Sequence, residues 1–274
     1  MTHYAETAAQ IAREAAVIIE NLRVQKIGFE LKGDADLVTI ADRHSELHIT
    51  ARLREAFPTH AIVAEEGNNT HSDSGYRWFV DPVDGTTNFA HGYPVYNITL
   101  ALEKDNELIA GIIYDPSRDE MFTAEKSGGA FLNGERIGVS RANRIEDALY
   151  CTGFPSRKRH ENVNIHFYYQ LAMISHGVRR SGSAAIDLAY LACGRLDAFW
   201  EFGLNPWDMA AGKLLVEEAG GTTTDMHGVP HHLITSKHLL ATNSHIHQPT
   251  LALFEDIFSD RSPYSIPQVS NYQR

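Results

Sequence analysis

Asp81-Pro-Val-Asp84-Gly-Thr-Thr-Asn-Phe89 sets two carboxylates around a proline and just ahead of a glycine. Trp207-Asp208-Met-Ala-Ala-Gly212 and Ala64-Glu65-Glu66 supply further acids. Pro82 fixes φ and has no N–H, so the chain is expected to leave a strand sharply there. Gly85 permits a backbone conformation that a Cβ would hinder, and Thr86-Thr87-Asn88 then opens a helix. The Val83 carbonyl is free to ligate. The N–H groups of Gly85 and Thr86 would face the same space and bind phosphate oxygens. Acids that converge need cations between them. Carboxylates, a divalent metal and a phosphate-sized anion together imply metal-assisted phosphate chemistry.

Each string also has a plainer reading. An Asx turn capping a helix explains one aspartate, but not two beside this glycine. Asp208 in the first turn of a helix gains roughly 0.3–1 kcal/mol from the macrodipole, which is account enough for a lone aspartate. Here Pro206-Trp207 precede it and Ala210-Ala211-Gly212 follow, a helix start built for close approach. Glu65 and Glu66 leave an apolar run side by side and so point to opposite faces. They gain meaning only from the other acids.

The elements that position these residues follow from periodicity. Ile11, Ala12, Ala15, Ile18, Ile19 and Leu22 form one face of a helix over residues 7–22. A second helix starts near Thr39, with Asp42 three residues on in a capping arrangement, Ile40, Leu47 and Leu53 as its apolar residues and Pro58 as its stop. Strands over 61–64 and 77–80 each run into acid. Residues 97–103 and 107–114 form a hairpin over Asp105-Asn106, and Asn133-Gly134 marks another tight turn, so the middle reads as an antiparallel sheet. The polar stretch 154–164 is a seam between an N-terminal α+β half, about 1–153, and a C-terminal α/β half, about 165–258. Beyond it come helices over 165–175, 183–193 and 207–218, strands over 178–180 and 198–201, two more short strands and a last helix. The tail from Ser259 is expected to be loosely ordered.

Composition narrows the class. With 274 residues, 43% of them hydrophobic, the chain can bury a substantial core as one large domain or two fused ones. A net charge of −11 argues against a nucleic-acid or membrane surface; Arg157-Lys-Arg159 and Arg179-Arg180 are too sparse to reverse that. Cys151 and Cys193 give no disulfide framework and are expected to be buried, inert thiols. No basic and apolar leader opens the sequence and no apolar run nears the ~20 residues of a membrane span, so a reducing cytoplasm is the expectation.

Taken in order, Asp36-Leu-Val-Thr-Ile-Ala-Asp42, Ala64-Glu-Glu66, Asp81 to Phe89 and Trp207-Asp-Met-Ala-Ala-Gly with Glu218-Ala-Gly-Gly221 resemble the inositol monophosphatase family. The resemblance runs over roughly residues 7–243. It implies a single phosphatase domain over 1–274 with a layered αβαβα fold of the inositol monophosphatase/fructose-1,6-bisphosphatase type, magnesium dependence, lithium sensitivity and a homodimer. Carried over residue by residue, Glu65, Asp81 and the Val83 carbonyl would hold one Mg²⁺, and Asp81, Asp84 and Asp208 a second. A weaker third ion would rest on Glu65. Thr86, bonded to Asp42, would orient the attacking water, and Glu65 could take its proton. Gly85 and Thr86 would hold the phosphate, while Gly182, Ser183, Ala184 and Glu201 would meet the alcohol. The electrostatics agree: two unit charges ~4 Å apart repel by about 4 kcal/mol at an effective dielectric near 20, and an oxygen-only ligand set suits Mg²⁺ better than Zn²⁺. Ala64 and Leu31 depart from residues common in relatives, Gly and Lys, with Lys32 adjacent to the second.

The implied reaction is hydrolysis of a small polyol phosphate monoester, foremost inositol 1-phosphate, with no Cys or His nucleophile. Relatives act on histidinol phosphate, fructose 1,6-bisphosphate, NADP or 3′-phosphoadenosine nucleotides, and some serve as partners of transcription or translation machinery. Other motifs are rejected. His44 and His48 lack the glutamate of a zinc-protease pattern and read as solvated helix-face residues, and His231-His232 lack ligand spacing. Lys126-Ser-Gly-Gly129 is a turn, and Asn97-Ile-Thr99 is strand rather than a glycosylation site.

Overall fold

A computed structural model of the chain describes residues 1–24, 29–31, 37–154 and 162–268. In chain order the elements are α1 (His3–Val24), β1 (Phe29–Leu31), β2 (Leu37–Thr39), α2 (Ile40–Ala56), β3 (Ala61–Ala64), β4 (Tyr76–Asp84), α3 (Thr86–Ala90), β5 (Asn97–Lys104), β6 (Glu107–Asp115), β7 (Glu120–Glu125), β8 (Gly129–Leu132) and β9 (Glu135–Arg136). The second half adds β10 (Leu149–Thr152), α4 (Asn164–Ile174), β11 (Gly177–Arg179), α5 (Ala184–Ala192), β12 (Ala198–Phe202), α6 (Pro206–Glu218), β13 (Thr222–Thr224), β14 (His238–Thr242) and α7 (His247–Phe258).

Strands β3 to β9 form a seven-stranded sheet in sequence order. Only β3 and β4 are parallel within it. A five-stranded sheet has the order β11-β10-β12-β14-β13. Helices α1 and α2 cover the outer face of the first sheet, where Ala8, Ile11, Ala15 and Ile19 meet Trp78, Leu100 and Ile112. Between the sheets lie α5 and α6, whose Leu188, Met209, Leu214 and Leu215 join Phe79 and Ile113 of one sheet to Phe199 and Leu239 of the other. Helices α4 and α7 close the far side, with Phe167, Leu171 and Phe254 on Tyr150 and Trp200. The layers are therefore αβαβα, as the resemblance implied.

Local chemistry explains the boundaries. Thr39 caps α2 in a reciprocal box with Asp42. Asp105 and Asn106 take φ of 52° and 67°, the left-handed pair that a two-residue hairpin needs. The sequence reading is corrected at several places. Residue 82 does not end its strand: β4 runs on through Asp84, and the register slips so that Asp81 faces Thr99 while Asp84 faces Asn97. Of the three apolar residues expected to face inward, helix α2 buries only Leu53; Ile40 is 39% and Leu47 54% exposed. Its buried face is largely polar. The tail is not loose throughout: Tyr264 exchanges two backbone hydrogen bonds with the buried Gln170 side chain. Cys151 is fully buried but Cys193 only partly so. Asp36, Lys32, Arg157-Lys-Arg159 and most of the 154–164 seam lie outside the described residues.

Candidate active site

The extra residue in β4 decides where its acids point. In a regular strand, side chains three apart project to opposite faces. Four residues of β4, Asp81 to Asp84, oppose three of β5, Thr99 to Asn97, which is a bulge that restores a common side. Gly85 follows with φ of 92° and begins α3. A Cβ there would lie 2.8 Å from the Val95 carbonyl, so both conformation and space demand glycine.

Asp81 is only 2% exposed. Burial, then the charges of Glu65, Asp84 and Asp208, hold its carboxyl well above the usual carboxylate range. Glu65 reaches it from the end of β3, where the Glu65 N–H donates to the Val80 carbonyl at 3.1 Å. Asp208 reaches it from the first turn of α6, its Oδ2 accepting from the Asn205 N–H at 2.7 Å. Asp84 is held by three donors on Oδ2: Ser183 Oγ at 2.7 Å, the Ala185 N–H at 2.8 Å and Asn97 Nδ2 at 3.1 Å. These bonds oppose the upward push of burial on Asp84.

Asp42 is fully buried in α2. Its Oδ1 accepts from Thr86 Oγ1 at 2.9 Å, and Val83 O lies 3.1 Å from the same hydroxyl. Burial raises the Asp42 carboxyl, while bonds from Thr39 and Thr86 lower it. The Ser183 hydroxyl caps α5 by accepting from the Ile186 N–H at 3.2 Å. Glu201 is half-buried at the end of β12; burial raises its carboxyl, followed by the charges of Asp208, Asp187 and Asp84, with Arg180 opposing.

Two positioning residues escaped the sequence reading. Glu46, fully buried, accepts from the N–H groups of Glu66 at 2.6 Å and Asn68 at 3.0 Å and from Asn68 Nδ2 at 2.7 Å. It clamps the loop that carries Glu65. Its spacing of four from Asp42, with Ser45 beside it, was the available signal of a polar helix face. Asn97, read only as strand, ties Asp84 to Ser183, donating to the latter at 2.9 Å. His48 is not a solvated residue but bonds Glu14 at 3.0 Å.

A buried acid surrounded by acids offers oxygen donors of the kind a hard cation takes. The carboxylates stand as mutually repelling neighbours. No three His, Cys, Asp or Glu side chains among the described residues are already drawn into a chelating cluster.

A layered αβαβα molecule with such an acid cluster beside a glycine-started helix has the form of a phosphatase. The chain belongs to the inositol monophosphatase family, whose model matches residues 1–259. The family is one of phosphatases and is generally metal-dependent. The chain is 47% identical over 208 residues to the inositol-1-monophosphatase of Mesorhizobium japonicum, covering 75% of this chain and 78% of that one. It is 43% identical over 245 residues to the Nus factor SuhB of Pseudomonas aeruginosa, covering 86% and 90%. The crystal structure of the extragenic suppressor protein suhB from Bartonella henselae superposes with a TM-score of 0.88 at 40% identity, covering 93% of this chain and 99% of that one.

Proposed function

We propose that the protein is a Mg²⁺-dependent phosphatase that releases phosphate from a small polyol monophosphate, foremost inositol 1-phosphate. The observation that carries this reading is Asp81, buried where the charges of Glu65, Asp84 and Asp208 all push its carboxyl upward. Glu65, Asp81 and the Val83 carbonyl would hold one ion, Asp81, Asp84 and Asp208 a second, with a weaker third on Glu65. Ions held by these residues would supply Lewis-acid chemistry, making the attacking water more acidic and offsetting charge on the leaving oxygen.

The chain's own groups do the rest. Thr86 Oγ1 donates its single proton to Asp42, so its lone pairs are left to accept from a water and fix its orientation. Glu65 takes the proton of that water. The N–H groups of Gly85 and Thr86 receive phosphate oxygens at the start of α3. Gly182, Ser183 and Ala184 contribute backbone to the alcohol side, because the Ser183 hydroxyl already serves Asp84. Glu201 accepts from the hydroxyls of the polyol, which a second phosphate would not offer. A panel comparing inositol 1-phosphate, histidinol phosphate, fructose 1,6-bisphosphate, NADP and 3′-phosphoadenosine phosphate tests the preference. Catalytic efficiency highest on any but the first overturns the substrate assignment.

The kinship with a Nus factor favours a second reading, in which the protein also serves as a partner of transcription machinery. Binding of a purified transcription complex that survives Asp81→Asn supports it; loss of binding with activity ties any such role to the metal site. The chain would act in the cytoplasm as a homodimer, inhibited by lithium, and a monomer in light scattering at micromolar concentration removes the dimer.

A further inference from the structure

Strands β10 and β12 pair in parallel with Thr152 opposite Trp200, which brings the next residues, Gly153 and Glu201, side by side at the C-terminal end of β10. The Glu201 side chain lies across the glycine. A Cβ on Gly153 would fall 2.1 Å from Glu201 Oε1 and 2.2 Å from both Cδ and Oε2. The whole carboxylate therefore occupies the place where any other residue keeps its side chain. Gly153 is absent from the residues with positive φ, so its backbone does not call for glycine. The space does.

The charges around Glu201 act unequally on where its carboxylate can move. Asp208, Asp187 and Asp84 repel it from the side of the acid cluster, and Arg180 attracts it. Non-bonded heavy atoms settle near 3.5–4.0 Å, so a methyl on Gly153 would drive the carboxylate by more than about 1 Å toward the acids or out of line with them. Displacement of that size is enough to break a hydrogen bond to a substrate hydroxyl.

We propose that Gly153 is a positioning residue that sets substrate selectivity: by lacking a side chain it seats the Glu201 carboxylate at the distance that receives the hydroxyls of a polyol phosphate. This rests on the reading of Glu201 given above. A bulkier residue at 153 would turn the same site toward phosphate esters without hydroxyls, while Asp81, Asp84 and Asp208 stay in place.

The test is a cycle of four proteins: wild type, Gly153→Ala, Glu201→Ala and the double variant. Each is assayed on inositol 1-phosphate and on p-nitrophenyl phosphate, which has the ester but no hydroxyls. Gly153→Ala is expected to lower the polyol-to-aryl ratio of kcat/KM roughly tenfold, through KM of the polyol substrate. In the Glu201→Ala background it should leave that ratio unmoved. Gly153→Ala combined with Glu201→Asp, one methylene shorter, should regain part of the loss. An unchanged ratio in Gly153→Ala, or an equal change with and without Glu201, overturns the proposal. Melting temperatures of the same proteins read the contact without any substrate: Gly153→Ala should lower Tm when Glu201 is present and not when it is alanine. A wild type that shows no activity on inositol 1-phosphate removes the substrate reading alone, and the Tm cycle still decides whether Gly153 seats Glu201.

Discussion

At Asp81 the needs of stability and of chemistry oppose each other. Its burial and the three acids around it make the ionised form costly in the metal-free protein. Asp81→Asn keeps the shape and removes the charge. The variant is expected to lose at least about a thousandfold in kcat while melting at a higher temperature than wild type in EDTA, where no cation offsets the repulsion. A lower Tm in EDTA would show that the acids are not in conflict. Thr86 tests a different step: Thr86→Val keeps the volume but deletes the hydroxyl shared by Asp42 and Val83. It should reduce kcat roughly a hundredfold or more with KM nearly constant, since the hydroxyl orients water rather than substrate. A rise in KM alone would place Thr86 in binding instead.

Helix α2 shows what sequence periodicity can and cannot convey at the scale of an element. Its start was legible because Thr39 and Asp42 form a capping box from local chemistry alone. Its buried face was not, because Asp42, Ser45 and Glu46 go inside by virtue of partners far along the chain: Thr86, the Pro82 carbonyl and the loop after β3. A pattern scored on hydrophobicity places such a face in water. The β4 bulge was hidden for a related reason. Pro82 signals a break, but whether the strand ends or slips depends on its partner β5. Glu46→Ala leaves three donors without their acceptor, and stability is expected to fall by about 3 kcal/mol, with activity reduced as the Glu65 loop loosens. Glu46→Gln, which keeps one acceptor, should lose clearly less in a urea titration; equal losses would deny that the hydrogen bonds hold the loop.

In the whole molecule the two sheets share the α5–α6 layer, so acids from β3, β4 and α6 meet where both halves come together. The principal acids were legible from short motifs, because glycine and helix start are encoded within a few residues, and the layered class was legible only through the family resemblance those motifs carry. The links between halves, Asn97 to Ser183 and Asn88 Nδ2 to the Ser181 carbonyl at 2.9 Å, are products of tertiary packing and were not. Far from the acids, His231 is 9% exposed with neither ring nitrogen bonded, and burial holds its pKa down to about 4. The unfolded chain takes up that proton near 6.5, the native protein only near 4. Stability is thus undiminished above 6.5 and falls on acidification through that window, by up to roughly 3 kcal/mol. His231→Leu should flatten this part of the Tm-against-pH curve; an unaltered slope would assign the acid sensitivity elsewhere. The central claim, that the acids around Asp81 are a Mg²⁺-dependent phosphatase site, is tested most directly by phosphate release from inositol 1-phosphate after EDTA treatment and Mg²⁺ repletion, in wild type and Asp81→Asn. The account predicts activity that vanishes in EDTA, returns with Mg²⁺ in the wild type and does not return in the variant. Release that persists in EDTA, or in the variant, would contradict it.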